Sequence, residues 1–181
     1  MKIFYAVNFD KETSSGLLKL QENLKEHVRA GRWSQDENLH LTLYFIGEIN
    51  EKDLPIYKKA LDQAAETVEP FTIRFTSYGS FRQGVQDLLY VKIKNTGDSL
   101  QILSGILKSQ LKTGDTEPLK PHITLVRRAE MNHQTLKVLK KMRFDLPPVQ
   151  IESIELMESR KVEGKLSYIP LHSVKLNQAP I

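Results

Sequence analysis

The sequence predicts an α+β fold of two pseudo-symmetric lobes, each an antiparallel β-sheet with outer helices, which face one another across a cleft. Two observations lead to this prediction. Strand-like and helix-like segments alternate along the 181 residues, and the same order of segments occurs twice. A short motif of histidine, an apolar residue and threonine is also present once in each half, at residues 40–42 and 122–124.

The first half of the chain is predicted to contain three strands and two helices. Leu17, Leu20 and Leu24 recur at spacings of three and four, which predicts a helix with one apolar face. Pro55 falls in the first turn of the second helix, where its missing N–H is not needed. The predicted elements are a strand at 2–9, a helix at 13–29, a strand at 39–46, a helix at 52–67 and a strand at 71–82.

The second half repeats this order. Leu100, Leu103 and Leu107 lie on one side of a predicted helix and indicate the face that packs on a sheet. The predicted elements are a strand at 86–95, a helix at 98–112, a strand at 122–128, a helix at 133–143, and strands near 149–160 and 166–176.

An alignment of the two motifs without gaps, at an offset of 82 residues, predicts an internal duplication. Residues 40–60 and 122–142 share eight identical residues of 21, where ordinary composition predicts about one or two. Both histidines and both threonines are among the identities. We therefore predict one bilobal domain over residues 1–181. Repeat one would span about 2–82, repeat two about 86–160, and a final strand 166–176.

Composition narrows the possible functions. The hydrophobic content of 40% is that of an ordinary globular protein, and the absence of cysteine excludes disulfides, thiolate metal sites and a cysteine nucleophile. The start of the chain lacks the apolar length of a signal peptide or membrane span, so we expect a cytoplasmic protein without a membrane partner. The net charge of +4 favours anionic partners only slightly.

Each motif places an imidazole and a hydroxyl on the same face of a strand. Side chains at i and i+2 project together, so His40 lies with Thr42, and His122 with Thr124. A two-fold relation between the lobes would gather these four groups around one point. Displacement at a phosphodiester needs a base on one side of phosphorus and an acid on the other, which two imidazoles can supply. The hydroxyls can donate to the non-bridging oxygens, and this scheme requires no metal or other cofactor.

Other interpretations of the motifs remain open. A histidine in a strand is commonly structural, although packing alone has no need to keep both polar positions in both copies. A zinc site would need a third ligand, and neither motif carries a carboxylate or cysteine at ligand spacing. The remaining histidines, His27, His133 and His172, lack a paired partner and are interpreted as surface or structural residues.

These motifs resemble the 2H phosphoesterase superfamily, and most closely the bacterial and archaeal RNA 2′,3′-cyclic phosphodiesterases, also called 2′-5′ RNA ligases. The resemblance extends over nearly the whole chain, through the segments KIFYAVNF, GRWSQDENLHLTLYFIGE, YGSFRQGVQDLLYVKI, PHITLVRRA and SYIPLHSVKL. It implies two β-sheet lobes around an active-site cleft, and hydrolysis without metal or nucleotide cofactor. The implied substrate is RNA with a 2′,3′-cyclic phosphate end or a cyclic nucleotide. No obligate protein partner is implied, so we expect a monomer.

The resemblance also implies a role for each motif residue. His40 would be the proton donor to the leaving 3′-oxygen, and His122 would be the proton acceptor that activates water. The product would then be a 2′-phosphate. Thr42 and Thr124 would bind the phosphate oxygens.

Four further residues are predicted to contact the substrate. Arg127 occupies a position where a basic residue is familiar in the family, and we expect it to contact the phosphate from the rim of the cleft. Arg128 keeps the strand alternation of the second motif and is expected to bind phosphate from inside the cleft. Phe81 and Tyr168 fall where the family carries aromatics, and they either stack on a base or pack in the core. Arg82 stands where the family often has proline, so the shape of the loop after Phe81 is expected to differ from that of the family.

The sequence leaves several functions open. The same residues could join RNA halves through a 2′-5′ bond, with a ribose hydroxyl in place of water. A cyclic phosphodiesterase acting on a small nucleotide fits the small net charge. A module that binds RNA ends without catalysis would be expected to have lost one histidine, and both are present.

Overall fold

The computed structural model describes residues 1–177, and this part of the chain forms nine β-strands and four α-helices. The strands are β1 (Lys2–Asn8), β2 (Ala30–Trp33), β3 (His40–Glu48), β4 (Phe71–Gln83), β5 (Gln86–Asn95), β6 (His122–Glu130), β7 (Val149–Ile151), β8 (Ser153–Val162) and β9 (Lys165–Lys175). The helices are α1 (Lys11–Lys25), α2 (Leu54–Ala65), α3 (Ser99–Gln110) and α4 (His133–Lys141). Among these residues no helix has the length and apolar character needed to cross a membrane.

The nine strands form one curled antiparallel sheet that is narrowest at its centre. Its order is β7-β4-β5-β6-β3-β1-β8-β9, and β2 pairs with β6 beside this path. The two central strands, β3 and β6, share the single pair Leu41–Ile123. This narrow junction divides the sheet into a lobe of β3, β1, β8 and β9 and a lobe of β6, β5, β4, β7 and β2. The predicted α+β fold of two antiparallel lobes is confirmed.

The lobes exchange strands between the two halves of the chain. β4, at the end of the first predicted repeat, pairs with β5 of the second. β8, at the end of the second, pairs with β1 of the first. The first half thus contributes β2 and β4 to the lobe of β6, and the second half contributes β8 and β9 to the lobe of β3.

The two central strands carry β-bulges at matching positions. The register of β3 against β1 shifts between Thr42 and Tyr44. The register of β6 against β5 shifts between Thr124 and Val126, 82 residues further along the chain. Bulges are specific features that redirect side chains, so their agreement supports the proposed duplication, which otherwise remains a prediction from the sequence.

The helices cover one face of the sheet and bury a core shared by both lobes. Ile3, Tyr5 and Val7 of β1 are at most 1% exposed and meet the apolar faces of the helices. Fully burying an aliphatic or aromatic side chain of this size contributes about 1.5–3 kcal/mol. One continuous core therefore joins the lobes, and the opposite face of the sheet is free to form the cleft.

The sequence prediction missed β2 and misplaced two boundaries. β2 has four residues, of which only Trp33 is partly buried, so it shows no apolar alternation to detect. α1 ends at Lys25, four residues before the predicted end. Val28 reaches the core from the turn that follows, and its backbone N–H donates to the Leu24 carbonyl at 3.0 Å. The predicted strand 149–160 is interrupted at Glu152, which separates β7 from β8.

Candidate active site

The two histidine–threonine motifs lie side by side at the junction of β3 and β6. Leu41 and Ile123 form the antiparallel pair there, and both are fully buried beneath the helices. Continuing that register brings each histidine opposite the threonine of the other motif, with all four polar side chains on the cleft face. The residues brought together in this way are His40, Thr42, His122 and Thr124.

Both imidazole rings are oriented by a backbone carbonyl two residues earlier. His40 Nδ1 lies 2.7 Å from the Asn38 carbonyl oxygen, and His122 Nδ1 lies 2.7 Å from that of Lys120. A carbonyl oxygen only accepts hydrogen bonds, so Nδ1 donates and carries the proton in both rings. Nε2 is therefore the atom of each ring that can take or give a proton in the cleft.

Thr42 is coupled to the protonation of His40. Its Oγ1 lies 3.0 Å from His40 Nε2. When the ring is neutral, Nε2 is an acceptor and the Thr42 hydroxyl donates to it. When Nε2 is protonated, the direction reverses, and the hydroxyl hydrogen becomes free to donate to a phosphate oxygen.

Burial keeps both imidazoles neutral in the unliganded protein. The pKa of His40 is lowered to about 4, chiefly by desolvation; the Asn38 carbonyl opposes this shift, and the charges of Arg127 and His122 add to it. Desolvation also lowers the pKa of His122, where the Lys120 carbonyl opposes the shift and Arg127 adds to it. Both rings are therefore mainly unprotonated at neutral pH and suited to accept a proton.

Aromatic rings enclose each histidine and account for this desolvation. Each imidazole is flanked by two aromatic side chains of its own lobe. The ring-centroid distances are 5.0 Å from Phe4 and 4.8 Å from Tyr168 to His40, and 5.2 Å from Phe81 and 5.1 Å from Tyr90 to His122.

Phe81 and Tyr168, the two aromatics predicted from the sequence, are therefore neighbours of the two histidines. Both side chains are partly buried. Phe81 stacks on Tyr90 with ring centroids 4.5 Å apart. Tyr90 can lie across β4 because its strand partner is Gly79, where an added Cβ would come within 2.4 Å of the ring. Stacking of Phe81 and Tyr168 on a base stays a prediction.

A cavity of about 310 Å³ opens beside His40 and Thr124. Its walls carry three cations, one carboxylate and two aromatic rings, from Arg32, Arg127, Lys165, Glu37, Trp33 and Tyr168. The volume is at the lower end of the range for small-molecule sites. The arrangement suits a ligand that combines a negative charge with a planar ring. Arg32 and Trp33 belong to β2 and were missed from the sequence together with that strand.

Arg127 and Arg128 exchange the places that simple alternation predicts. The bulge between Thr124 and Val126 shifts the alternation of β6 by one residue. Arg127 consequently lines the cavity with His40. Arg128 is exposed, has a positive φ of 53°, and lies outside the residues that line the cavity. Both arginine side chains are exposed, and only Arg127 lines this cavity, so contact of either arginine with a substrate phosphate stays a prediction.

Asn38 joins three parts of the site and was not predicted. Its backbone carbonyl accepts from His40, its Nδ2 donates to the Leu166 carbonyl at 2.9 Å, and its Oδ1 accepts from the Tyr168 N–H at 3.1 Å. The residue is 9% exposed. Asn38 thereby links the start of β3 to β9. A single asparagine before a strand carries no sequence signal for such a role.

The other three histidines lie apart from the cleft. His27 and His133 are exposed at helix ends. His172 Nε2 lies 2.7 Å from Asp62 Oδ1 of α2. Within residues 1–177 no three side chains of His, Cys, Asp or Glu are grouped so as to hold a metal ion.

Comparison with known proteins identifies the family. The family model described as LigT like Phosphoesterase matches residues 7–87, which include the first motif. The RNA 2′,3′-cyclic phosphodiesterase of Thermus thermophilus is 30% identical over 138 residues, which are 71% of this chain and 69% of that protein. The chain belongs to the LigT-like phosphoesterase family.

Other relatives of this LigT-like phosphoesterase agree. The RNA 2′,3′-cyclic phosphodiesterase of Thermotoga maritima is 24% identical over 155 residues, 83% of this chain and 81% of that protein. The crystal structure of TT0787 of Thermus thermophilus superposes with a TM-score of 0.76 at 26% identity, covering 98% of both chains. The protein is thus an enzyme of the phosphoesterase class, as the sequence predicted.

Proposed function

We propose that this phosphoesterase hydrolyses 2′,3′-cyclic phosphodiester ends of RNA to 2′-phosphomonoesters without a metal ion. The observation that carries the proposal is the meeting of two equally oriented imidazoles at the β3–β6 junction, each with its Nδ1 bound to a backbone carbonyl. Two relatives named RNA 2′,3′-cyclic phosphodiesterase support the choice of substrate.

The proposed reaction is an in-line displacement at phosphorus. Water attacks from the side of His122 and gives a proton to Nε2 of that ring. The bond between phosphorus and the 3′-oxygen breaks, and Nε2 of His40 donates a proton to this oxygen. The 2′-ester bond is retained, so the product is a 2′-phosphomonoester. Each positioned acid or base contributes about 10² to 10⁴ in rate.

The non-bridging oxygens need donors that stabilise charge in the transition state. Thr42 and Thr124 are proposed to donate their hydroxyl hydrogens to these oxygens. Arg127 adds a positive charge, since it lines the cavity with His40 and its charge acts on both imidazoles. Arg128 has no part in this proposal.

The donor role of His40 requires a proton that the free enzyme seldom carries. A pKa of about 4 leaves about one ring in a thousand protonated at pH 7. An anionic phosphate bound beside Arg127 offsets the positive charge near the ring and favours its protonated form. Substrate binding is therefore proposed to bring a proton to His40.

Hydrolysis of an oligoribonucleotide with a terminal 2′,3′-cyclic phosphate, in buffer containing EDTA, tests the proposal. We expect turnover to persist with the chelator and the product to be a 2′-phosphate. Replacing His40→Ala should lower kcat/KM by about 10² to 10⁴. His27→Ala is the matched control, because His27 is exposed and apart from the cleft. Loss of turnover in EDTA, or a 3′-phosphate product, would refute the proposal.

A further inference from the structure

Four cations line a groove formed by β4, β5 and the segment between α4 and β7. Lys92 of β5 is the strand partner of His122. Lys94 follows two residues later, and its strand partner is Arg74 of β4. Arg143, between α4 and β7, lines the same groove, whose volume is about 970 Å³. We call Arg74, Lys92, Lys94 and Arg143 the basic track.

The strand alternation of β5 directs the track into the cleft. Val91 and Ile93 are buried beneath the helices, whereas Lys92 and Lys94 are exposed on the opposite face. Tyr90 lies on that same face, and its ring contacts His122. Alternate residues of a strand are about 6.6 Å apart. The cations therefore continue outward from His122 along the sheet.

The track lacks charge partners within the part of the chain that the structure describes. None of its four cations forms a salt bridge within 4.0 Å in residues 1–177, and Asp145 is the one carboxylate in the groove lining. Arg143 donates weakly to the carbonyls of Lys141 and Met142, at 3.5 and 3.4 Å. Like charges gathered in one groove repel each other, and a bound polyanion removes that repulsion.

The corresponding position beside His40 has a different charge. Asn8 is the strand partner of His40, as Lys92 is of His122. The Asn8 amide donates to Glu155 Oε2 at 2.6 Å. The strand partners of the two histidines therefore differ, with a lysine beside His122 and an asparagine bound to a carboxylate beside His40. Arg32, Arg127 and Lys165 line the separate cavity beside His40.

We infer that the basic track binds the backbone of the RNA strand that carries the cyclic phosphate. The inference rests on the proposed function, because the reacting phosphate fixes the end of the strand between the histidines. Beyond Arg74 the same face continues with Thr72, whose Oγ1 lies 3.2 Å from Gln150 Oε1. The substrate class is accordingly an oligoribonucleotide, whose backbone extends past Lys92 to Lys94 and Arg74, in preference to a cyclic mononucleotide.

The double variant Arg74→Gln/Lys94→Gln tests this inference on two substrates. For an RNA octamer with a terminal 2′,3′-cyclic phosphate, we expect KM at low salt to rise about five- to tenfold. The slope of log(kcat/KM) against log salt should become shallower by about 1.4, since each phosphate contact on a single strand contributes about 0.7. For a nucleoside 2′,3′-cyclic phosphate, KM should not change.

The matched control is Lys137→Gln/Lys140→Gln. It removes the same charge from the exposed face of α4, which packs on the other side of the sheet, and it should behave like the wild type with both substrates. An unchanged KM for the octamer, or an equal loss with both substrates, overturns the inference.

Equilibrium binding separates the inference from the proposed function. The anisotropy of a fluorescent octamer measures affinity whether or not the RNA is hydrolysed. If the wild type binds the octamer more tightly than Arg74→Gln/Lys94→Gln but hydrolyses neither substrate, RNA binding by the basic track is supported and the proposed function is refuted. Equal binding by the two proteins would overturn the track.

Discussion

The protonation of His40 is controlled by the groups around its ring. Phe4 and Tyr168 exclude water from it, and Arg127 adds a positive charge, so its pKa falls to about 4. The Asn38 carbonyl opposes this shift and fixes the tautomer. The same environment that keeps the ring neutral when the cleft is free makes it sensitive to a bound anion.

This environment predicts the pH dependence of the two kinetic constants. The profile of kcat/KM reports the free enzyme, in which the pKa values of His40 and His122 are both lowered, that of His40 to about 4. Its alkaline limb should therefore lie below pH 6.5, the unperturbed value for histidine. Bound phosphate raises the pKa of His40, so the alkaline limb of kcat should lie at higher pH. Steady-state rates of octamer hydrolysis from pH 4 to 9 measure both limbs.

A buffer acid that donates protons in the reaction would also make the rate depend on pH. The control is to vary the buffer concentration at fixed pH and compare the rates. Coincident alkaline limbs for kcat and kcat/KM would contradict proton uptake with substrate.

The histidine residues themselves were identified from the sequence. Their low pKa values could not be, because burial by Phe4 and Tyr168 depends on strands distant in the chain.

At the scale of elements, the bulge in β6 affects which arginine lines the cavity beside His40. Leu125 and Val126 are consecutive and both fully buried, and the register of β6 against β5 shifts between Thr124 and Val126, so alternation is broken here. The sequence shows two apolar residues in a row, a pattern that an unbroken buried strand shares. Alternation from Thr124 therefore predicted the strand and its face correctly and failed for the residues beyond the bulge.

Arg127→Gln and Arg128→Gln form a matched pair for testing the effect of the bulge. Removing Arg127 should lower kcat/KM about tenfold to a hundredfold and weaken inhibition by inorganic phosphate, because a charge in the cavity is lost. Arg128→Gln removes the same charge one residue away and should stay close to the wild type. Steady-state kinetics with phosphate as competitive inhibitor make the comparison. Equal losses in the two variants would mean that general surface charge, and not the position in the cavity, is responsible.

At the scale of the whole molecule, the cleft depends on strand exchange between the halves of the chain. The repeated order of strands and helices was predicted, and so was the meeting of the two motifs. The pairing of β4 with β5, and of β8 with β1, was not. β4 and β5 are joined by the short turn between Gln83 and Gln86, whereas β8 and β1 are distant in sequence, and their pairing depends on the packed core, which local periodicity does not describe. The shared core then joins the two lobes that carry the histidines proposed as acid and base.

A double-mutant cycle on His40 and His122 tests most directly whether the two lobes supply one acid–base pair. With the cyclic-phosphate octamer in EDTA, His40→Ala and His122→Ala should each lower kcat/KM by about 10² to 10⁴. The double variant should lose little more than either single variant, because the two rings act on one displacement. Near wild-type turnover by either single variant, or losses that multiply fully in the double variant, would contradict the account.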